Sequence, residues 1–123
     1  HFTIGRTNGQ LIANKIVVPD IIKTKPQLVV DIHEDLGDEV GYRYSRFIYS
    51  VSKDNVTQNY VNNIIQKIPY LKRYSPGGSS PLYVTKPISK EGIRAIVYET
   101  YKYDTYERKY SDAAKFIDVL DKL

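Results

Sequence analysis

The sequence predicts a three-layer α/β domain, with a mostly parallel or mixed central sheet and helices on both faces. Two observations carry this expectation. The runs Leu28-Val29-Val30-Asp31-Ile32-His33 and Ile93 to Thr100 are rich in β-branched and apolar residues, as strands covered on both faces require. Between them, Val56, Tyr60, Val61, Ile64, Ile65 and Ile68 recur at three- and four-residue spacing, which is the apolar face of a helix. Strands alternating with amphipathic helices build layered domains. A chain of 123 residues with 41% hydrophobic and 26% charged residues suits one folded domain with one real core.

Taken in order, Phe2 to Gly5 reads as a short strand. Thr7 or Asn8 is then placed to cap a helix over Gln10 to Val18, with Leu11, Ile12 and Ile16 inward. Pro19 should kink or restart that helix, because it lacks the N–H and clashes with the preceding turn. Ile21 and Ile22 continue the apolar face, and Pro26 closes the segment. Leu28 to His33 follows as a buried central strand and Arg46 to Val51 as a second strand. Asp54 to Ile68 is the amphipathic helix, capped by Ser52 or Asp54 and followed by Pro69. Tyr70 to Tyr74 reads as a short extended piece, and Ser75-Pro76-Gly77-Gly78-Ser79-Ser80-Pro81 is the strongest loop signal. Thr85 to Gly92 suits a short helix with Pro87 in its first turn. Ile93 to Thr100 is the third strand, and Tyr101 to Tyr110 reads as loop. A last helix is expected to be capped by Ser111, with an apolar stripe of Ala114, Ile117, Val119, Leu120 and Leu123.

Composition removes several function classes. The chain has no Cys, Met or Trp and only two His, His1 and His33. Disulfide scaffolds, thiolate metal sites, thiol nucleophiles and iron–sulfur clusters are therefore excluded. No apolar run reaches the ~18 residues of a membrane span. The net charge of +4 is scattered rather than gathered into a basic stripe, so no nucleic-acid partner is expected. No Gly-x-Gly-x-x-Gly, His-Glu-x-x-His, Gly-x-Ser-x-Gly or calcium loop occurs. Because no Met occurs, even at position 1, residues are expected to have preceded His1.

Three features could carry chemistry. Alternation along a strand puts Asp31 and His33 on one face, with His33 at the carboxyl end, where open α/β sheets bind ligands. An imidazole there can be a metal ligand, a general base or a surface His bonded to an acid. Asp31 and Glu34 are placed to orient it. Glu99 ends the apolar run Ala95-Ile96-Val97-Tyr98. It is either a solvated strand end or a partly buried carboxylate with a pKa raised towards a general base's. If the two strands are parallel neighbours, His33 and Glu99 share one rim. The third feature is the Ser75 to Pro81 loop with Tyr70, Tyr74 and Tyr83 beside it, a surface loop or a substrate-lining one. Tyr98, Tyr101, Tyr103, Tyr106 and Tyr110 are expected to crowd around Glu99, as core, as lining or as an aromatic contact surface.

The succession Val-Val-Asp-Ile-His-Glu, a central Gly/Ser loop, Gly-Ile-Arg-Ala-Ile-Val-Tyr-Glu-Thr and a C-terminal helix, over roughly residues 26–123, resembles the later part of the zinc carboxypeptidases. It is more similar still to their relatives, the succinylglutamate desuccinylase/aspartoacylase group. The resemblance implies that His33 is a zinc ligand, Glu99 the catalytic carboxylate and Tyr83 a substrate-binding tyrosine. The implied activity is hydrolysis of an amide, in a peptide or N-acyl amino acid, by metal-activated water. The family's His-x-x-Glu zinc pair and its Asn-Arg substrate pair are not in this sequence. The resemblance therefore implies that residues 1–123 are either a single α/β domain or the C-terminal portion of a larger hydrolase, inactive alone and short of zinc ligands. A non-enzymatic, tyrosine-rich protein- or glycan-binding α/β module is the alternative, suggested by 12 Tyr against 3 Phe. Oligomeric state, substrate and compartment do not follow from the residues.

Overall fold

The computed structural model describes residues 2–77 and 80–123; side chains are described from Gly5 onward, Ser80 excepted. Its centre is a four-stranded mixed sheet with the order β1-β4-β2-β3, formed by β1 (Val29–Asp35), β2 (Phe47–Ser50), β3 (Lys72–Arg73) and β4 (Ala95–Tyr101). β1 and β4 are parallel, β2 runs antiparallel to β4, and β3 is parallel to β2. The strand expected at the centre, β1, is an edge strand, and Ile32 on it is 60% exposed. The two central positions belong to β4, whose Ala95 to Glu99 are all buried, and β2. A continuous apolar run shows that a strand can be covered, but not which one has two strand neighbours.

The helices lie on both faces, as expected. Alternation along β4 sends Ile96 and Tyr98 one way and Ala95, Val97 and Glu99 the other. On the first face, Ile48, Ile96 and Tyr98 pack with Val61, Ile64 and Ile68 from α3 (Asn55–Lys67) and its end, and with Phe116 and Val119 of α5 (Tyr106–Leu120). Phe116 stacks on Tyr98 with ring centroids 4.2 Å apart. On the second face, Ala95 packs with Val18 of α2 (Val18–Thr24), Ile88 of α4 (Thr85–Lys90) and Ile93. Beyond that patch the second face carries Phe47, Tyr49 and Val97 under Tyr42, Tyr44 and Tyr74.

Local chemistry explains the element ends. Asp54 caps α3, accepting from the Thr57 N–H at 2.9 Å and from the Thr57 hydroxyl at 2.6 Å. Phe2 to Gly5 is not a strand. It opens α1 (Phe2–Ile12), which runs through a π-helical turn (Ala13–Val17) into α2. As expected, the α-helix restarts at Pro19: α2 begins at Val18, with Pro19 in its first turn. The Val18 N–H reaches back to the Ala13 carbonyl, and this wider turn loosens the ladder where proline cannot donate. Lys25 ends α2 in the left-handed conformation, φ 51°. The last helix starts earlier than Ser111: Thr105 is its cap, accepting from the Arg108 N–H at 3.2 Å. Its buried stripe is Phe116 and Val119, while Ala114 and Ile117 are exposed. No helix among the described residues is long and apolar enough to cross a membrane.

Candidate functional site

The parallel pairing of β1 with β4 sets His33 directly beside Glu99, and β2 sets Phe47 on the other side of Glu99. Because alternate residues share a face, Asp31, His33, Asp35, Glu99, Phe47 and Tyr49 all project onto the second face, at the carboxyl end of β1 and β4. The helices α2 and α4 cover the opposite end of that face, around Ala95, and the tyrosine layer lies over Phe47, Tyr49 and Val97 beside the acidic cluster.

His33 Nε2 lies 3.1 Å from Asp31 Oδ2. The atom is buried, and the approach is too bent for a hydrogen bond, so Nε2 has no hydrogen-bond partner among the described residues. The contact is still close enough that the Asp31 carboxylate holds the imidazole above its ordinary pKa, opposed by burial and assisted by Glu99. Glu99 is 4% exposed. Burial pushes its carboxyl up to about 7; the neighbouring His33 lowers it, and Asp35 and Asp31 raise it. Asp35 is buried as well. Its Oδ1 accepts from the Gly37 N–H at 2.7 Å while Oδ2 has no partner among the described residues, and burial pushes the group up to about 6. Gly37 is held at φ +61°, and a Cβ there would lie 2.6 Å from the Ser45 hydroxyl and 3.1 Å from the Tyr101 ring. That close approach is what lets the Gly37 backbone reach Asp35.

Several predicted participants stand elsewhere. Glu34 alternates onto the first face and pairs with Lys109 Nζ at 2.7 Å, so it does not orient His33. Tyr98 lies in the core on the first face, and Tyr106 and Tyr110 are exposed on α5. The tyrosines that feel the Glu99 charge are Tyr42 and Tyr49. Burial raises both phenols, Tyr49 to about 12, and Glu99 raises them further. Alternation within Phe47-Ile48-Tyr49 is the sequence signal for Tyr49, and extension of the Asp31, His33 alternation is the signal for Asp35. Tyr83 is half-buried in the turn between Leu82 and α4, remote in sequence from both strand ends. From the predicted loop, Gly78 and Ser79 lie outside the described residues. Ser75, Gly77 and Pro81 join Tyr49, Ser50, Val51 and Lys86 around a cavity of about 210 Å³, which shares its Tyr49 wall with the Glu99 site.

Hydrolytic zinc needs three protein ligands. His33 offers one nitrogen, and among the described residues no group of three or more His, Asp or Glu side chains is placed to hold a metal ion. These residues do not form a zinc site by themselves. Compared with known proteins, the chain matches no family model, no curated sequence and no solved structure.

Proposed function

We propose that His33 and Glu99 are the acid–base part of a hydrolytic site that cleaves an amide bond in a peptide or N-acyl amino acid. The observation that supports this most is their side-by-side register on parallel strands, with Glu99 buried and titrating at about 7. A general base works best when its pKa lies near the working pH. In this reading Glu99 takes a proton from the water that attacks the amide carbon. It then gives that proton to the leaving nitrogen as the carbon–nitrogen bond breaks. His33, held by Asp31, supplies a neighbouring positive or donor group for the developing oxyanion. The zinc implied by the family resemblance requires ligands beyond the described residues, so no step here depends on it.

The test is an amine-release assay on N-acyl amino acids and short peptides, with the chain as it occurs naturally, run beside zinc calorimetry. Glu99→Gln should lower kcat by ~10²–10⁴-fold and leave zinc binding intact, whereas His33→Ala should weaken both. Absence of hydrolysis and of zinc binding in the natural chain would sink this reading. It would favour instead a non-enzymatic protein- or glycan-binding module, which the exposure of Tyr103, Tyr106 and Tyr110 supports.

A further inference from the structure

The sheet has two edges, and only one is long. β3 ends the sheet with two residues, whereas β1 offers seven, Val29–Asp35, with no proline or lysine among them. Natural sheets keep edges short or guard them with proline and charged residues; on β1 the ionisable Asp31, His33 and Asp35 turn to the second face, and the first face carries Val30, Ile32 and the Lys109-paired Glu34. The direction of the free backbone groups follows from the hydrogen bonds that are made. The Val29 N–H donates to the Arg94 carbonyl, and the Asp35 carbonyl accepts from Lys102, so the odd-numbered residues face β4. The N–H and C=O groups of Val30, Ile32 and Glu34 therefore point away from the sheet.

Beside this edge, around the Glu34–Lys109 pair, the surface carries exposed apolar side chains. Ile32 is 60% exposed at the middle of β1. On α5, Lys109 reaches Glu34 of β1, and Leu120 lines a cavity with Leu28 and Val30. Arg108, by contrast, lies over Tyr70 on the far side. Tyr106, Tyr110, Ala113 and Ile117 recur at helical spacing next to the Lys109 and Leu120 side. They are all exposed, Tyr106 by 79%, Tyr110 by 70% and Ile117 by 59%. An open strand edge and an exposed aromatic stripe thus run together along one flank.

From these features we infer that the β1 edge pairs with the β1 edge of a second copy of this chain, antiparallel and with Ile32 on the twofold axis. Charge complementarity favours a second copy as the partner, and favours this register over centres at Asp31 or His33. With Ile32 opposite Ile32, the Asp31 carboxylate of each copy faces the His33 imidazole of the other, and Val30 faces Glu34. A centre at Asp31 would oppose two Asp31 carboxylates, and a centre at His33 would oppose Asp31 with Asp35; like charges placed so are destabilising. The Ile32-centred register also makes Ile32 a hydrogen-bonded pair, in which each copy donates its N–H to the other's carbonyl. The Val30 and Glu34 pairs do the same on either side. The two α5 stripes then close over Ile32 across the axis, and the two sheets become one. This inference does not depend on the hydrolytic reading.

The absence of native cysteine makes a direct test available. Sedimentation velocity over a wide concentration range should show a dimer for the natural sequence and a monomer for Ile32→Lys, which sets two ammonium groups on the axis. Circular dichroism checks that this variant keeps its fold, as exposure of Ile32 leads one to expect. In the Ile32→Cys variant, the two Cα atoms would be about 5.5 Å apart, so mild oxidation or a short bismaleimide should give a covalent dimer. Leu82→Cys, exposed and outside β1, should stay uncrosslinked. A natural chain that is monomeric throughout, or a dimer that survives Ile32→Lys, overturns the inference. A dimer lost in Ile32→Lys without crosslinking of Ile32→Cys overturns the register.

Discussion

Replacing Glu99 by Gln should flatten the dependence of stability on pH, and the size of the effect can be worked from the fold. Burial raises the carboxyl from an ordinary 4.5 to about 7, a difference of about 3 kcal/mol between its two protonation states. The folded chain keeps a proton that the unfolded chain releases, so the stabilising contribution is full below pH 4.5 and is lost as pH rises through 7. His33 acts in the same direction. Its pKa is raised by Asp31, so its contribution is present below 6.5 and lost as pH rises through its folded value. Asp35, raised to about 6, does likewise from its ordinary 3.8. Comparison of the natural chain with the Glu99→Gln variant isolates the Glu99 contribution together with the part of the His33 shift that Glu99 supplies. The assay is urea unfolding followed by circular dichroism at intervals from pH 4.5 to 8.5. With a urea slope of about 1–3 kcal/mol/M, the variant should open a midpoint advantage over the natural chain of about 1–3 M by pH 8. Little difference is expected near pH 5. Midpoints that run parallel across the whole range would refute the assignment of a buried, proton-holding Glu99.

Asp54→Ala should cost about 1 kcal/mol at neutral pH through loss of the α3 cap. Because Thr57 holds the Asp54 pKa below its ordinary value, that contribution should also fade in the natural chain as pH falls through the lowered value, read as a converging pair of urea midpoints. Phe116→Ala empties a fully buried site stacked on Tyr98 and should cost ~3–5 kcal/mol in the same measurement. A loss under about 1 kcal/mol would mean that α5 is not seated as described. Arg46 makes a two-pronged pair with the largely buried Asp104, its Nε 2.8 Å from Oδ2. Arg46→Met should destabilise by about 2–3 kcal/mol, less than a fully buried pair because Arg46 is partly solvated. It should also raise the Asp35 pKa, which Arg46 holds down, measurable by carboxyl NMR titration.

Local signals are legible where the chemistry is local. The α3 stripe, its Asp54 cap and the helix after Thr85 are visible in spacing and capping residues alone, because a helix makes its bonds to its own neighbours. The start of α5 is hidden because Thr105 is followed by polar and aromatic residues with no apolar repeat until Phe116; the Thr105 cap sets that end. The π-helical turn before Pro19 has no sequence signature beyond the proline. Which strand is central is not legible, since order in a sheet depends on partners remote in sequence. The same holds for the site: alternation places Asp31 with His33, but the covering role of Tyr42 and Tyr49 depends on β2 lying against β4. Glu34 misleads for a simple reason, adjacency in sequence being opposition in a strand.

The strand pairings also fix an order of assembly. β2 and β3 join residues 47 and 72, β2 and β4 join 47 and 99, and β1 and β4 join 33 and 99. These spans lengthen from 25 to 52 to 66 residues by subtraction of those numbers, and closure entropy rises with each. The β2-α3-β3 unit can therefore form from nearby chain, while the His33–Glu99 pairing waits for the longest loop to close. Contacts that need distant chain are the slow ones. The amides of the β1–β4 ladder are thus the natural reporters of completed folding in a pulsed hydrogen-exchange experiment, and His33 meets Glu99 only when that ladder forms.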